Sequence, residues 1–199
     1  MGGSSRRWSC VNIGRVPEAE FEIVTDRLAL RTWRASDADD FAEMNADVEV
    51  MADLGEPLLR EQSDRKLERF RRLFGDDEIT RWVVADSDGR FLGYCGIVRQ
   101  AEDHPLGVHH EIGWRLTRQS WGHGYATEAA TAALDDAFGR IGCAEVLAYT
   151  AADNARSQAV MTKLGLDRRS DLDFSHHYEG FGSWRGLVWS ASPAMVALA

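Results

Sequence analysis

The chain has 199 residues, 44% apolar and 28% charged, the balance of a globular domain, which excludes a disordered, collagen-like or fibrous chain. At this size roughly 70% of the open chain's surface can be buried, so one domain closes without disulfide staples. With 23 Lys and Arg against 32 Asp and Glu the formal charge is −9, which argues against DNA or RNA held through phosphates and suits a cationic partner such as an amine.

Residues 1–20 are polar and rich in Gly, Ser and Arg, and are read as a loosely held tail; a single domain is expected over 21–191, with a second tail over 192–199. The first strand should run through Leu28 and Leu30, with Arg27 and Arg31 on its other face. Ser36 is the expected N-cap of a helix whose first turn holds Asp37, Asp39 and Asp40. A second helix is predicted over 61–74, with Leu67, Phe70 and Phe74 at helical spacing and Gly75 as its stop. Strands over 81–85 and 91–98 flank Asp88 and Gly89, a strong hairpin signal. A strand over 108–116 follows, then an alanine-rich helix over 122–139, a strand over 144–150, and a helix over 154–164 stopped by Gly165. Two closing strands, over 166–174 and 183–190, complete a mixed α/β order.

Cys10, Cys95 and Cys143 are odd in number and far apart, and read as reduced thiols in a cytoplasmic protein. No apolar run is long enough to span a bilayer and the first ten residues have no secretory signal, so neither membrane association nor export is expected. His104, His109 and His110 lack cysteine or acidic partners at a metal-binding spacing, and no metal is expected.

The informative stretch is Gln119, Ser120, Trp121, Gly122, His123, Gly124, Tyr125 and Ala126, where a strand passes through a short glycine loop into a helix. Unpaired N–H groups at a helix start hold a phosphate or pyrophosphate, and glycine lets the backbone approach it closely. There is no Walker A lysine, and the dinucleotide fingerprint fails at its third small residue. Gln119-x-x-Gly122-x-Gly124 instead resembles the cofactor loop of the GNAT superfamily of N-acetyltransferases. The runs from Glu111 to Leu116 and from Trp121 to Ala129, with Asn154-x-x-Ser157 and Lys163-Leu164-Gly165-Leu166, resemble its RimJ/RimL branch, named for enzymes that acetylate N-termini of ribosomal proteins. Thr25-Asp26-Arg27-Leu28 and Leu92-Gly93-Tyr94-Cys95-Gly96 extend the likeness upstream.

The resemblance implies a mixed α/β fold with a mostly antiparallel sheet of about six or seven strands and about four helices, two central strands splaying to form an acetyl-CoA cleft. It implies acetyl transfer from acetyl-CoA, as co-substrate, to a primary amine: a small molecule or a peptide N-terminus. At pH 7 only about 1 in 2,500 molecules of an amine of pKa near 10.4 is neutral, a deficit of roughly 4.6 kcal/mol that a proton acceptor offsets. Glu111, on the strand entering the loop, is the first candidate base, and a carboxylate paired with a neighbouring Arg is the structural alternative; His109 and His110 are rivals on the same strand. By resemblance, main-chain groups near Trp114 and Leu116 serve the thioester carbonyl, residues 119–126 bind the diphosphate, and Asn154 binds the pantetheine arm, although Asn154 also suits a helix cap. Met161 stands where many relatives carry a tyrosine, leaving Ser157 as the candidate proton donor to the leaving sulfur. The acceptor site is expected near residues 50–58 and 176–184, with Met51, Asp53 and Glu56 facing the amine. The six tryptophans beyond residue 30 are expected to be mostly core, with one or two walling the amine pocket. A monomer or homodimer fits equally, and a CoA-binding module without turnover is the alternative function.

Overall fold

The computed structural model describes residues 21–53, 55–178 and 182–193, so the first tail and most of the second lie outside the described residues. Nine strands are present: β1 (Glu22–Val24), β2 (Leu28–Arg31), β3 (Arg81–Asp86), β4 (Phe91–Gln100), β5 (His109–Leu116), β6 (Val146–Thr150), β7 (Asp167–Arg168), β8 (Phe174–Tyr178) and β9 (Gly182–Ala191). They line up as β1-β2-β3-β4-β5-β6-β9-β7, with β8 also paired to β9. Five α-helices accompany them: α1 (Ala38–Ala46), α2 (Val48–Met51), α3 (Arg60–Asp77), α4 (Tyr125–Asp136) and α5 (Ala155–Lys163). This is the mixed, mostly antiparallel α/β fold expected, with more strands because short edge pieces such as β1 and β7 carry little periodicity to read.

Alternation along the strands sends apolar side chains to both faces. Leu28, Leu30, Val84, Leu92 and Ile112 pack with the alanines of α4 on one face, while Val83 and Tyr94 pack with Trp33, Phe41 and Phe70 on the other. Arg31 is therefore buried rather than solvated, and it needs a counter-ion. Asp37 supplies it, taking the guanidinium through two bonds of 2.8 Å and the Arg34 N–H at 2.7 Å. That demand corrects the expected cap: residues Ala35–Asp37 form a 3-10 turn, and the α-helix starts one residue after Asp37.

Other boundaries move for equally local reasons. Gly75 does not stop α3; Phe74 packs against Phe21 and Trp82, and the helix runs on until Glu78 turns left-handed at φ 56°. Burying Phe74 outweighs the cost of about 1 kcal/mol for a helical glycine. The expected strand over 166–174 breaks into β7, a 3-10 turn over Ser170–Leu172 and β8, because Asp173 turns inward to accept the Val188 N–H at 3.1 Å and the Arg168 guanidinium at 2.6 Å. The alanine-rich helix begins at Tyr125 rather than 122, and closes in a π-helical turn over Ala137–Ile141.

Candidate functional site

All neighbouring strands pair antiparallel except β5 and β6, which are parallel and registered at one position, Glu111 opposite Leu147. β5 stays paired with β4 from His109 to Leu116, so past Glu111 its other edge faces an opening instead of a strand. Two cavities meet at that opening, of about 280 Å³ and about 130 Å³. Asp53, Trp114, Arg115 and Ser157 line both.

The larger cavity lies against the start of α4. Gly122 and Gly124 have φ of 79° and 82°, a left-handed conformation that only glycine takes without strain. A Cβ at Gly122 would meet no atom within 4 Å; at Gly124 it would come 3.4 Å from the Arg27 guanidinium. The loop and the first-turn N–H groups thus border open space, which suits an anion. Ser120, Trp121, Gly122, Gly124, Tyr125 and Ala126 line this cavity; Trp114 and Leu116 join from β5, Asn154 and Ser157 from α5. Two expected residues stand apart from it. Gln119 is exposed, while the His123 ring stacks on Tyr125 and its carbonyl accepts from Arg27 at 3.0 Å. Arg156 and Lys163, not singled out from sequence as ligands, add positive charge to the wall; Arg156 lies 3.8 Å over the Trp121 ring.

The upstream motif explains how this loop is held. Glu128, in the first turn of α4, accepts from the Thr25 hydroxyl at 2.6 Å, the Arg27 N–H at 3.0 Å and the Arg27 Nε at 2.6 Å. Burial pushes the Glu128 carboxyl up, but these hydrogen bonds and the Arg27 charge outweigh it and hold it below the usual range. The β1–β2 turn is thereby clamped to the helix whose start borders the larger cavity.

The smaller cavity is walled by charge. Glu111 lines it, with Oε1 paired to Arg81 at 2.7 Å and Oε2 accepting from Gln100. Arg81, itself buried, also donates to the carbonyls of Gly96 and of Glu111. Gly113 makes room for it, since a Cβ there would stand 2.9 Å from the guanidinium carbon. Tyr94, Tyr149, Met161 and Trp184 complete much of the wall. His109 and His110 do not line it: the His109 ring packs edge-on against His104 beside Tyr149. The Cys95 thiol is buried in the core and pushed up to about 12, so it is no nucleophile at neutral pH. Among the tryptophans, Trp33, Trp82 and Trp189 are core, whereas Trp114, Trp121 and Trp184 face the cavities.

Asn154 combines the two roles that its sequence position left open. Its Oδ1 caps α5 by accepting the Ser157 N–H at 3.0 Å, and its amide donates to the Ser157 Oγ at 3.0 Å and to Asp53 across the cleft. Ser157 Oγ is thus an acceptor, and its own proton has no acceptor among the described residues. Among those residues no cluster of three or more His, Cys, Asp or Glu is placed to hold a metal, and no helix is long and apolar enough to cross a membrane.

The chain is similar to known proteins over most of its length. The family model for the acetyltransferase (GNAT) domain matches residues 27–167. Over 150 residues the chain is 32% identical to the uncharacterized protein YkkB of Bacillus subtilis (strain 168), a match covering 74% of this chain and 86% of that protein. It is 43% identical over 121 residues to the FsC-acetyl coenzyme A-N(2)-transacetylase of Aspergillus fumigatus, about half of each chain (51% and 52%). Among solved structures, spermidine N-acetyltransferase from Vibrio cholerae in complex with CoA and spermine shares the fold at a TM-score of 0.67 and 17% identity, covering 87% of this chain and 99% of that one.

Proposed function

We propose that this chain, which belongs to the GNAT acetyltransferase family, transfers an acetyl group from acetyl-CoA to the nitrogen of a primary amine. The observation that carries the reading is the meeting of an anion-accepting cavity and a carboxylate-bearing cavity at Trp114 and Ser157, where β5 and β6 part. A relative named as an acetyl coenzyme A N(2)-transacetylase and a fold neighbour holding CoA and a polyamine support the same donor and acceptor classes. The motif likeness supports the RimJ/RimL branch, and the free thiols Cys95 and Cys143 suit a cytoplasmic enzyme.

Acetyl-CoA supplies an activated thioester when bound. The amides of residues 122–126 and the side chains of Arg156 and Lys163 hold its phosphates, with Gln119 and Ser120 at the loop's entry. Asn154 and the free edge of β5 at Trp114 and Leu116 position its arm, and the main chain there polarises the acyl carbonyl. Glu111 accepts the amine's proton, directly or through water, with Arg81 fixing its carboxylate; Asp53 draws the ammonium into the cleft. Ser157, with its proton uncommitted, donates to the departing sulfur.

The test is thiol release from acetyl-CoA against an amine panel, with the acetylated amine identified by mass. Release that depends on an amine is expected, in step with product. Met161 at the position where many relatives place a tyrosine favours a second reading, a CoA-binding module without turnover. Tight CoA binding with no thiol release on any amine would decide for that module.

A further inference from the structure

We propose that the acceptor amine also carries a carboxylate, and that Arg115 binds it. This rests on the acetyl-transfer reading and narrows its acceptor from any amine to a small amino carboxylate such as a free amino acid.

Two arginines line the smaller cavity, and their states differ. Arg81 is paired with Glu111 and bonded to main-chain carbonyls. Arg115 is half-buried with its guanidinium 5.7 Å over the Tyr94 ring, and it hydrogen-bonds only through Nη1, to Asn45 Oδ1 at 3.3 Å and Met51 Sδ at 3.0 Å. Its Nε and Nη2 have no acceptor, and no carboxylate pairs with it, among the described residues. A guanidinium withdrawn from water without a counter-ion is costly, and an incoming anion removes that cost.

Two carboxylates, Asp53 and Glu111, and two guanidiniums, Arg81 and Arg115, line the cavity, so it presents both signs of charge within a chain of net charge −9. Burial raises the Tyr94 phenol, yet Arg115, Lys66 and Arg81 together bring it below its ordinary value. Glu111 is paired with Arg81, which leaves Asp53, held by the neutral amide of Asn154, and Arg115 as charges on the wall with no ionic partner among the described residues. A purely cationic acceptor would face an uncompensated Arg115. A zwitterion satisfies both ends, its ammonium toward Asp53 and its carboxylate on the planar donor fork of Arg115. Asp53 and Arg115 line this cavity together with Glu111, and its volume of about 130 Å³ takes a small molecule. One free guanidinium matches one monoanion, which favours a carboxylate over a phosphate dianion.

The experiment uses the full chain with matched acceptors: free amino acids, their C-terminal amides and the corresponding decarboxylated amines. Thiol release gives kcat/KM, and calorimetric titration into the CoA-loaded protein gives binding. In the series that is used best, the acid should exceed its amide by at least about tenfold, chiefly through KM. Arg115→Gln should bring that ratio close to one, and Arg115→Lys should keep part of it. An amide used as well as its acid, or an unchanged ratio in Arg115→Gln, overturns the proposal; if that variant fails to fold, the wild-type ratio and Arg115→Lys decide. Should no amine release thiol, the acetyl-transfer reading falls, and titration alone then judges this one: acid bound over amide, lost with Arg115, sustains it, and no such preference ends it.

Discussion

On the proposed acetyl-transfer reading, the two halves of the cleft recognise their ligands by different means. The donor half works largely through main chain, namely amides at the start of α4, two left-handed glycines and the open edge of β5, with Asn154, Arg156 and Lys163 added from the side of α5. The acceptor half works through side chains drawn from β3, β4, β5, β6, β9 and the segment after α2, and a buried ion pair holds its shape. Backbone recognition depends on loop geometry and tolerates change in side chains, whereas a charge network depends on each partner. The donor half should therefore resist substitutions that the acceptor half does not.

The sharpest way to break this contrast is to remove one charge from the acceptor half. Glu111→Leu leaves Arg81 buried without its counter-ion and should cost about 3–5 kcal/mol of stability by urea denaturation, most of it regained in Arg81→Met/Glu111→Leu. Equal stability of single and double variants would show that charge does not hold this half together. In the donor half, Gly124→Val should weaken CoA binding by more than about tenfold, or 1.4 kcal/mol, in calorimetry, with part of the change in stability owed to a β-branched residue at positive φ. Asn154→Ala should cost about 1 kcal/mol through the lost cap and raise the KM for acetyl-CoA, while Asn154→Asp keeps the stability and still raises the KM.

The smallest effect concerns the clamp on α4. Because the Glu128 carboxyl is held below its ordinary value, its contribution is complete above the unfolded pKa of about 4.3 and is lost as pH falls through the lower folded value. Denaturation between pH 3 and about 6 should show wild type losing this increment only at the acid end, and Glu128→Gln should lack it at every pH.

The same division explains what was legible in the chain. Gly122, Gly124 and Asn154 carry their meaning in spacing, and the structure places all three on one cavity. Arg81 and Tyr149 each read as an ordinary strand residue, because nothing local tells that two separated strands bring them to one wall. Arg156 was closer to hand: it sits between Asn154 and Ser157 in the first turn of α5, where an inward-facing cation could have been anticipated. β8 was hidden for another reason, since its alternation is polar and its partner, β9, lies later in the chain.

Arg81 ties a carboxylate of β5 to carbonyls of β4 and β5 at the point where the sheet splits, and Gly113 leaves the room for it to do so. It acts as a rivet that sets the width of the gap whether or not a guest fills it. A library built to redirect the enzyme to new acceptors should therefore hold positions 81, 111 and 113 fixed as one block and spend its diversity around them, at Tyr149, Trp184 and Asp53.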